Sequence, residues 1–400
     1  MTHTPELFQP DTGKLRIAIV IKNFVATGGA ERYAVETARR MVDRGHDVHL
    51  YARTVDERLA EGMTLFKIPE KLMFSNVLAL YSFSKEVARQ LAGRAYDVIH
   101  THDKGCPGHV STVHTFSFKR GMDDMSLLKK INEFVISPRA WLYLHMERLQ
   151  VRSDCLVGVS DVIRGDIRTC HGRSRGVEII PPGVDIRRFS PEKRAALRGE
   201  ARREYGLEPG DTAVLFVGSE FRRKGLDDLI PAMDGQMRLF VVGRQERMEH
   251  YKRMVEEYGL KDRVIFTGLT DNVIKYYALA DIVVLPSRAE AFGMTVLEGM
   301  ACGIPVITSR AAGCSCVVTP GKNGFVFDEP GQLSGMLDRF RDKARRHQMG
   351  IEARKTAETH TWEDTARQYE SLYYEISGKK FRTEAALQNE PGSSRRSSLT

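Results

Sequence analysis

Two carboxylates eight positions apart bracket the run Glu290-Ala-Phe-Gly-Met-Thr-Val-Leu-Glu298. An ionised carboxylate accepts hydrogen bonds from two vicinal hydroxyls at once, so such a pair suits a hydroxyl-rich ligand. The apolar runs on either side, Asp281-Ile-Val-Val-Leu-Pro-Ser287 and Gly303-Ile-Pro-Val-Ile-Thr308, read as buried strands. Between them lies a loop ending at Phe292-Gly293, then a short helix. Amides at a helix N-terminus have no intrahelical partner and attract anions, and open parallel sheets take their ligands there. Gly293, Met294 and Thr295 are therefore candidates to hold an anion, with Glu290 on the loop and Glu298 a turn inside the helix, facing the same crevice. Two glutamates at this interval are commonplace alone; the whole string carries the argument.

A second cluster is cationic. Glu220-Phe-Arg-Arg-Lys-Gly225 follows the apolar run Ala213–Ser219, so three consecutive cations, Arg222, Arg223 and Lys224, stand at a strand-to-helix junction. There they are placed to pair with a diphosphate, helped by the field of the helix N-terminus. A third feature is Gly28-Gly29, between the strand Arg16–Ile21 and a helix over Ala30–Arg44. Glycines let backbone amides approach a ligand closely. This opening unit lacks G-x-G-x-x-G, so a dinucleotide is not indicated. Gly321-Lys322 is followed by Asn323, which excludes a phosphate-binding P-loop. Finally, His114 closes the buried run Val110–Thr115, and His102 and Asp103 follow the preceding strand on the same rim, candidates to touch a ligand's hydroxyls.

These residues need elements to hold them. Four hundred residues predict two domains, each large enough for its own core. A net charge of +8 favours an anionic partner. The six cysteines lack paired zinc-site spacing and read as reduced thiols. No apolar run reaches membrane-spanning length and the polar start lacks a signal-peptide core, so the expected location is cytoplasmic. Leu127, Leu128, Ile131, Phe134 and Val135 recur at helical spacing opposite Lys129 and Lys130, with Ser137-Pro138 starting a further helix bearing Trp141 and Tyr143. A basic amphipathic stretch over residues 118–150 fits an anionic membrane surface, and a core-facing helix with a solvated basic side fits equally. Further expectations are Asp271 as a helix cap, one long helix over Pro330–Gln348, and a final helix entered at Thr361. The expected divisions are a flexible leader (1–13), a first α/β domain (14–185), a second α/β domain (186–360), a terminal helix (361–378) and a disordered tail (379–400).

Together, Gly28-Gly29, His114, Pro182-Gly-Val-Asp185, Arg223-Lys-Gly225, the Glu290–Glu298 string and Trp362 resemble the retaining family 4 glycosyltransferases over nearly all of residues 15–378. The resemblance implies the α/β GT-B fold: two Rossmann-like domains facing a central cleft, with the C-terminal helix crossing back to the first. It implies transfer of a hexose from a nucleotide diphosphate sugar. Glu290 and His114 would serve the sugar, Gly29, Arg223, Lys224 and the amides of Gly293–Thr295 the diphosphate, Glu298 the ribose, and Gly268 and Leu269 the base. It implies no cofactor and no metal, and the chain contains no Asp-x-Asp pair. Within the family, Gly218–Gly225, the Ile-Pro-Pro-Gly linker and the basic segment look most like the glucosyltransferases that act on heptose of the lipopolysaccharide inner core. That implies UDP-glucose as donor, a glycolipid acceptor, no nucleic acid partner and a monomer. Two other readings share these motifs: a transferase for polyprenyl-linked exopolysaccharide or O-antigen intermediates, and a non-catalytic nucleotide-sugar-binding protein.

Overall fold

Short runs that are apolar on every side belong inside parallel sheets covered by helices on both faces, and this chain has two such sets. The computed structural model describes residues 13–69, 75–106, 108–123, 138–245 and 247–379. In it the first set forms a seven-stranded parallel sheet with spatial order Thr64–Lys67, Asp47–Ala52, Arg16–Val20, Val98–Thr101, Val110–Val113, Cys155–Gly158, Val177–Ile179. The second forms a six-stranded parallel sheet, Val264–Gly268, Met237–Val242, Thr212–Val217, Ile282–Leu285, Val306–Ser309, Gly324–Phe327. Each sheet reverses its winding beside its first strand. Arg16–Val20 lies between Asp47–Ala52 and Val98–Thr101, and Thr212–Val217 between Met237–Val242 and Ile282–Leu285. Connections leaving in opposite directions open a crevice at such a point.

Two segments tie the halves together. The link from the first half runs beside the entry to the last helix: Val184 N–H donates to the His360 carbonyl (2.9 Å), and a Cβ on Gly183 would stand 2.2 Å from the Trp362 nitrogen. The last helix, Trp362–Ser377, starts at a Thr361–Asp364 capping box and packs on the first helix, Gly29–Asp43. Its buried tyrosines bond into the first sheet. The Tyr373 hydroxyl lies 2.6 Å from His100 Nδ1, and that of Tyr369 lies 2.6 Å from Thr112 Oγ1 and 3.0 Å from the Tyr33 hydroxyl.

Two local expectations are corrected. The run Pro330–Gln348 is not one helix: a 3-10 turn and a helix over Leu333–Asp338 precede a separate helix, Lys343–Glu358. Phe340 is buried at the break, and Asp342 caps the new helix by accepting from the amides of Ala344 and Arg345. Asp271 is not a cap either; Asn272 holds that position for Val273–Leu279 without a side-chain bond. The amphipathic run Leu127–Val135, Ser137, the leader up to residue 12 and the tail from residue 380 lie outside the described residues. None of the six cysteines is in a disulfide; five are buried and Cys316 is exposed.

Asp281, buried at the foot of the second sheet, accepts from Arg198 (2.6 Å), Arg202 (3.2 Å) and the Ala213 amide (2.9 Å), fastening the helix Pro191–Glu204 to that sheet. Burial works to raise the carboxyl pKa, but the two guanidiniums and the amide overcome it and hold the group below its ordinary value near 3.8. A depressed folded pKa gives stability that is complete above the unfolded value and drains away as pH falls through the folded one. Asp281→Asn leaves buried Arg202 without a counter-charge and is expected to cost about 3–5 kcal/mol. Urea midpoints at pH 7 and pH 3 check this: the gap between the variant and the parent narrows at the lower pH.

Candidate active site

Where the carboxyl ends of the two sheets meet, a cavity of about 420 Å³ collects Gly28, Gly29, Arg32, Tyr33, His114, Arg223, Lys224, Glu290, Gly293, Met294, Thr295 and Glu298. It is built from helix starts. The first helix begins after Gly28 (φ 97°), the helix Leu226–Ala232 after Gly225 (φ 81°), and the helix Met294–Ala301 after Gly293 (φ 100°); none of the three is capped by a side chain. Ser160, Ser190, Asp342 and Thr361 cap four helices elsewhere, while those starting after Ser75, Arg247 and Asn272 also lack a side-chain cap. At the Gly28 and Gly293 starts the cavity meets first-turn N–H groups that no side chain caps, an arrangement suited to an anion, whereas the Leu226 and Asp228 amides are taken by the Phe221 and Gly225 carbonyls. Among the described residues the Thr295 hydroxyl, buried at the Gly293 start, also has no partner.

The cations and the first carboxylate are already engaged. Lys224 Nζ lies 2.7 Å from Glu290 Oε2, and Arg223 Nη1 reaches the same oxygen at 3.2 Å while donating to the Ala289 carbonyl at 2.7 Å. Arg223 also donates from Nε to Glu220 Oε2 at 2.6 Å, so the two cations share two carboxylates beside the helix start at Gly293. The stem of Lys224 crosses Gly218 so closely that a Cβ there would stand 2.4 Å from Lys224 Cδ, which fixes the direction of the ammonium. Arg222, next in sequence, is exposed outside the cavity.

Glu298 is joined across the cleft. Arg32 Nη1, on the first helix, lies 3.1 Å from Glu298 Oε1, and the Tyr277 hydroxyl donates to Oε2 at 2.8 Å. Ser160 adds a second bridge, donating to the Ala291 carbonyl at 2.6 Å. His114 faces the cavity from the first sheet, and burial pushes its imidazole down to about 3, so the ring is neutral at pH 7.

Of the residues singled out in the sequence, Gly29, His114, Arg223, Lys224, Glu290, Gly293, Met294, Thr295 and Glu298 line this one cavity. His102 and Asp103 do not. His102 is buried behind the rim, its Nδ1 lying 3.0 Å from His114 Nε2. Asp103 turns back to accept from the Lys22 amide, and burial pushes its carboxyl up to about 6. Gly268 and Leu269 also lie outside it, at the end of an edge strand, with Leu269 68% exposed. Arg32, Tyr33 and Tyr277 were not singled out. Arg32 had a local signal, a cation three residues into the helix after Gly28-Gly29; the contact of Tyr277 with Glu298 had none. Among the described residues, no three His, Cys, Asp or Glu side chains cluster to hold a metal ion.

Comparison with known proteins agrees with this architecture. The chain is 26% identical over 388 residues, 86% of its length and 85% of the relative's, to a D-inositol 3-phosphate glycosyltransferase of Acidothermus cellulolyticus. The crystal structure of WaaG, a glycosyltransferase involved in lipopolysaccharide biosynthesis, superposes with a TM-score of 0.75 at 22% identity, covering 89% of this chain and 99% of that one. Anabaena Alr3699/HepE in complex with UDP-glucose superposes with a TM-score of 0.67 at 19% identity, covering 90% and 99%. The Glycosyltransferase Family 4 model matches residues 27–188 and the Glycosyl transferases group 1 model residues 198–356. Two parallel-sheet halves, each matched by its own model and meeting at one cleft, make this chain a member of the family 4 glycosyltransferases with the GT-B fold.

Proposed function

We propose that the protein transfers a hexose, with retention at the anomeric carbon and without a metal ion, from UDP-glucose to a hydroxyl of a glycolipid acceptor of the lipopolysaccharide heptose type. The observation that carries this is the convergence of Lys224 and Arg223 on Glu290 beside the uncapped helix start at Gly293. A diphosphate entering there takes over the two cations and the first-turn amides, and Glu290 is released to accept from sugar hydroxyls. In the transfer step, the acceptor oxygen bonds to the anomeric carbon as the bond from that carbon to the diphosphate oxygen breaks. The leaving group's negative charge grows against Lys224, Arg223 and the amides of Met294 and Thr295. The acceptor's hydroxyl proton passes to the departing phosphate, so no protein base is required. Glu298 serves the ribose once Arg32 yields to the nucleotide. The exposed Trp141 (52%), on the helix Pro138–Gln150, supports contact with an anionic membrane carrying the acceptor.

A second acceptor is favoured by the curated relatives, whose names specify D-inositol 3-phosphate. One experiment weighs both. Purified protein is given UDP-glucose with heptose-terminated core lipid in anionic vesicles, or with D-inositol 3-phosphate in solution, and released UDP is measured. UDP release with the vesicles alone is the expected result. Release only with the soluble phosphate replaces the glycolipid reading, and no release with either, or with other sugar nucleotides, removes the enzymatic one.

A further inference from the structure

Behind the cavity wall three imidazoles stand in a row on the ends of two adjacent strands: His100, His102 and His114. His100 is fully committed, with Nδ1 2.6 Å from the Tyr373 hydroxyl and Nε2 2.7 Å from Thr112 Oγ1. The other two are committed to each other. His102 Nδ1 lies 3.0 Å from His114 Nε2, with ring centroids 5.3 Å apart and planes 18° apart. A centroid separation so much larger than the nitrogen contact, between nearly parallel planes, puts the rings edge to edge, with the lone pair of one nitrogen directed at the other. The edge of the buried Tyr33 ring holds this pair in place, 5.0 Å from His114 and 6.2 Å from His102.

Burial keeps both rings neutral, so each carries one N–H and the shared contact holds a single proton. That proton has two possible owners. If His114 Nε2 donates, His102 must carry its own proton on Nε2, and that atom is buried with no partner. An orphaned buried N–H is rarer than an under-satisfied buried acceptor. If His102 Nδ1 donates instead, its Nε2 is a bare lone pair, and His114, accepting at Nε2, must carry its proton on Nδ1. Among the described residues the bond that His114 makes is the one at Nε2, which leaves Nδ1 to the cavity that this residue lines.

We infer that His102 is a positioning residue that donates to His114 and thereby makes His114 a hydrogen-bond donor toward the bound sugar, rather than a base. The inference about which nitrogen carries the proton stands on the protein alone; its consequence for turnover rests on the proposed sugar transfer. It explains how a neutral histidine can face the reacting end of the cavity without competing for the acceptor's proton: its open nitrogen holds a hydrogen and no lone pair.

The test separates the two levels. Histidine-selective nitrogen-15 labelling of the full chain, with and without UDP, reads the protonated nitrogen of His114 from its ring shifts. An Nδ1–H form is expected, and an Nε2–H form in the parent protein overturns the inference whatever the enzyme's activity. The carboxamide nitrogen of His102→Asn occupies nearly the place of Nδ1 and still donates, whereas His102→Asp only accepts. H102D is expected to move the His114 proton to Nε2 and to lower kcat about tenfold or more, the loss of one donor to the sugar, with little change in the Kd for UDP. H102N is expected to restore both the tautomer and the turnover that H102D loses. Equal turnover in H102D and H102N, with the tautomer switched between them, removes the catalytic consequence. An unswitched tautomer in H102D removes the positioning role.

Discussion

Lys224→Ala is expected to lower kcat by about 10²–10³, the cost of removing one group aimed at charge that develops only in the transition state. The stem of Lys224 lies over Gly218 and its ammonium meets a single carboxylate, so the substitution strips the clamp without opening a large core cavity. The companion change, Glu290→Gln, sharpens the result because it is expected to act in opposite directions on binding and on turnover. Glu290 is the carboxylate partner of Lys224 and one of two for Arg223, which also pairs with Glu220. Removing that charge leaves Lys224 without its counter-charge while Arg223 keeps Glu220, so UDP should bind about five-fold tighter, on the order of 1 kcal/mol of relieved electrostatics. Turnover should nonetheless fall about 10–100-fold, because a carboxamide accepts more weakly from sugar hydroxyls. Calorimetric titration of UDP alongside steady-state rates reads both numbers. Turnover at the parent's rate in either variant would remove this cluster from the reaction.

Gly225→Ala should be the most damaging single substitution in the donor half outside its core. Gly225 holds φ at +81°, and a Cβ there would stand 1.9 Å from the Pro286 carbonyl oxygen. A left-handed conformation costs a non-glycine residue about 1–3 kcal/mol, and forcing a methyl against backbone adds about 1–3 kcal/mol more. The sum corresponds to a melting temperature lower by about 5–20 °C for a domain of this size. The two contacting segments carry the cations and lead to Glu290, so strain at Gly225 also spreads the clamp. Gly235→Ala is the control, since its Cβ meets nothing within 4 Å and its φ is not positive. Similar melting temperatures for the two variants would show that the Gly225 to Pro286 contact gives way easily.

The two sheets were legible because their signals are local. The apolar runs at Ala213–Val217 and Asp281–Leu285, the glycines at 28–29 and 293, and the cations at 222–224 each fix a strand, a turn or a helix start from neighbours within a few positions. The helix break near Phe340 was not legible, because helical periodicity continues through Pro330–Gln348 and only the burial of Phe340 and the cap at Asp342 interrupt it. His102 shows the same limit from the other side. Its place at the end of a strand suggested a rim residue, but the side to which a terminal side chain turns is set by what packs above it, here Tyr33 and His114.

Two parallel α/β halves, the carboxylate, cationic and glycine motifs, and the ends of the strands on which they sit are written in local pattern, since each follows from periodicity and turn chemistry over short spans. Only the tertiary structure decided the pairings: Lys224 with Glu290, Arg32 with Glu298 across the cleft, Tyr373 with His100, and His102 with His114. Three of these four join residues tens to hundreds of positions apart, and the fourth joins the ends of two adjacent strands. A buried polar group must find its partner in whatever surface the fold brings against it, and no local pattern encodes that surface.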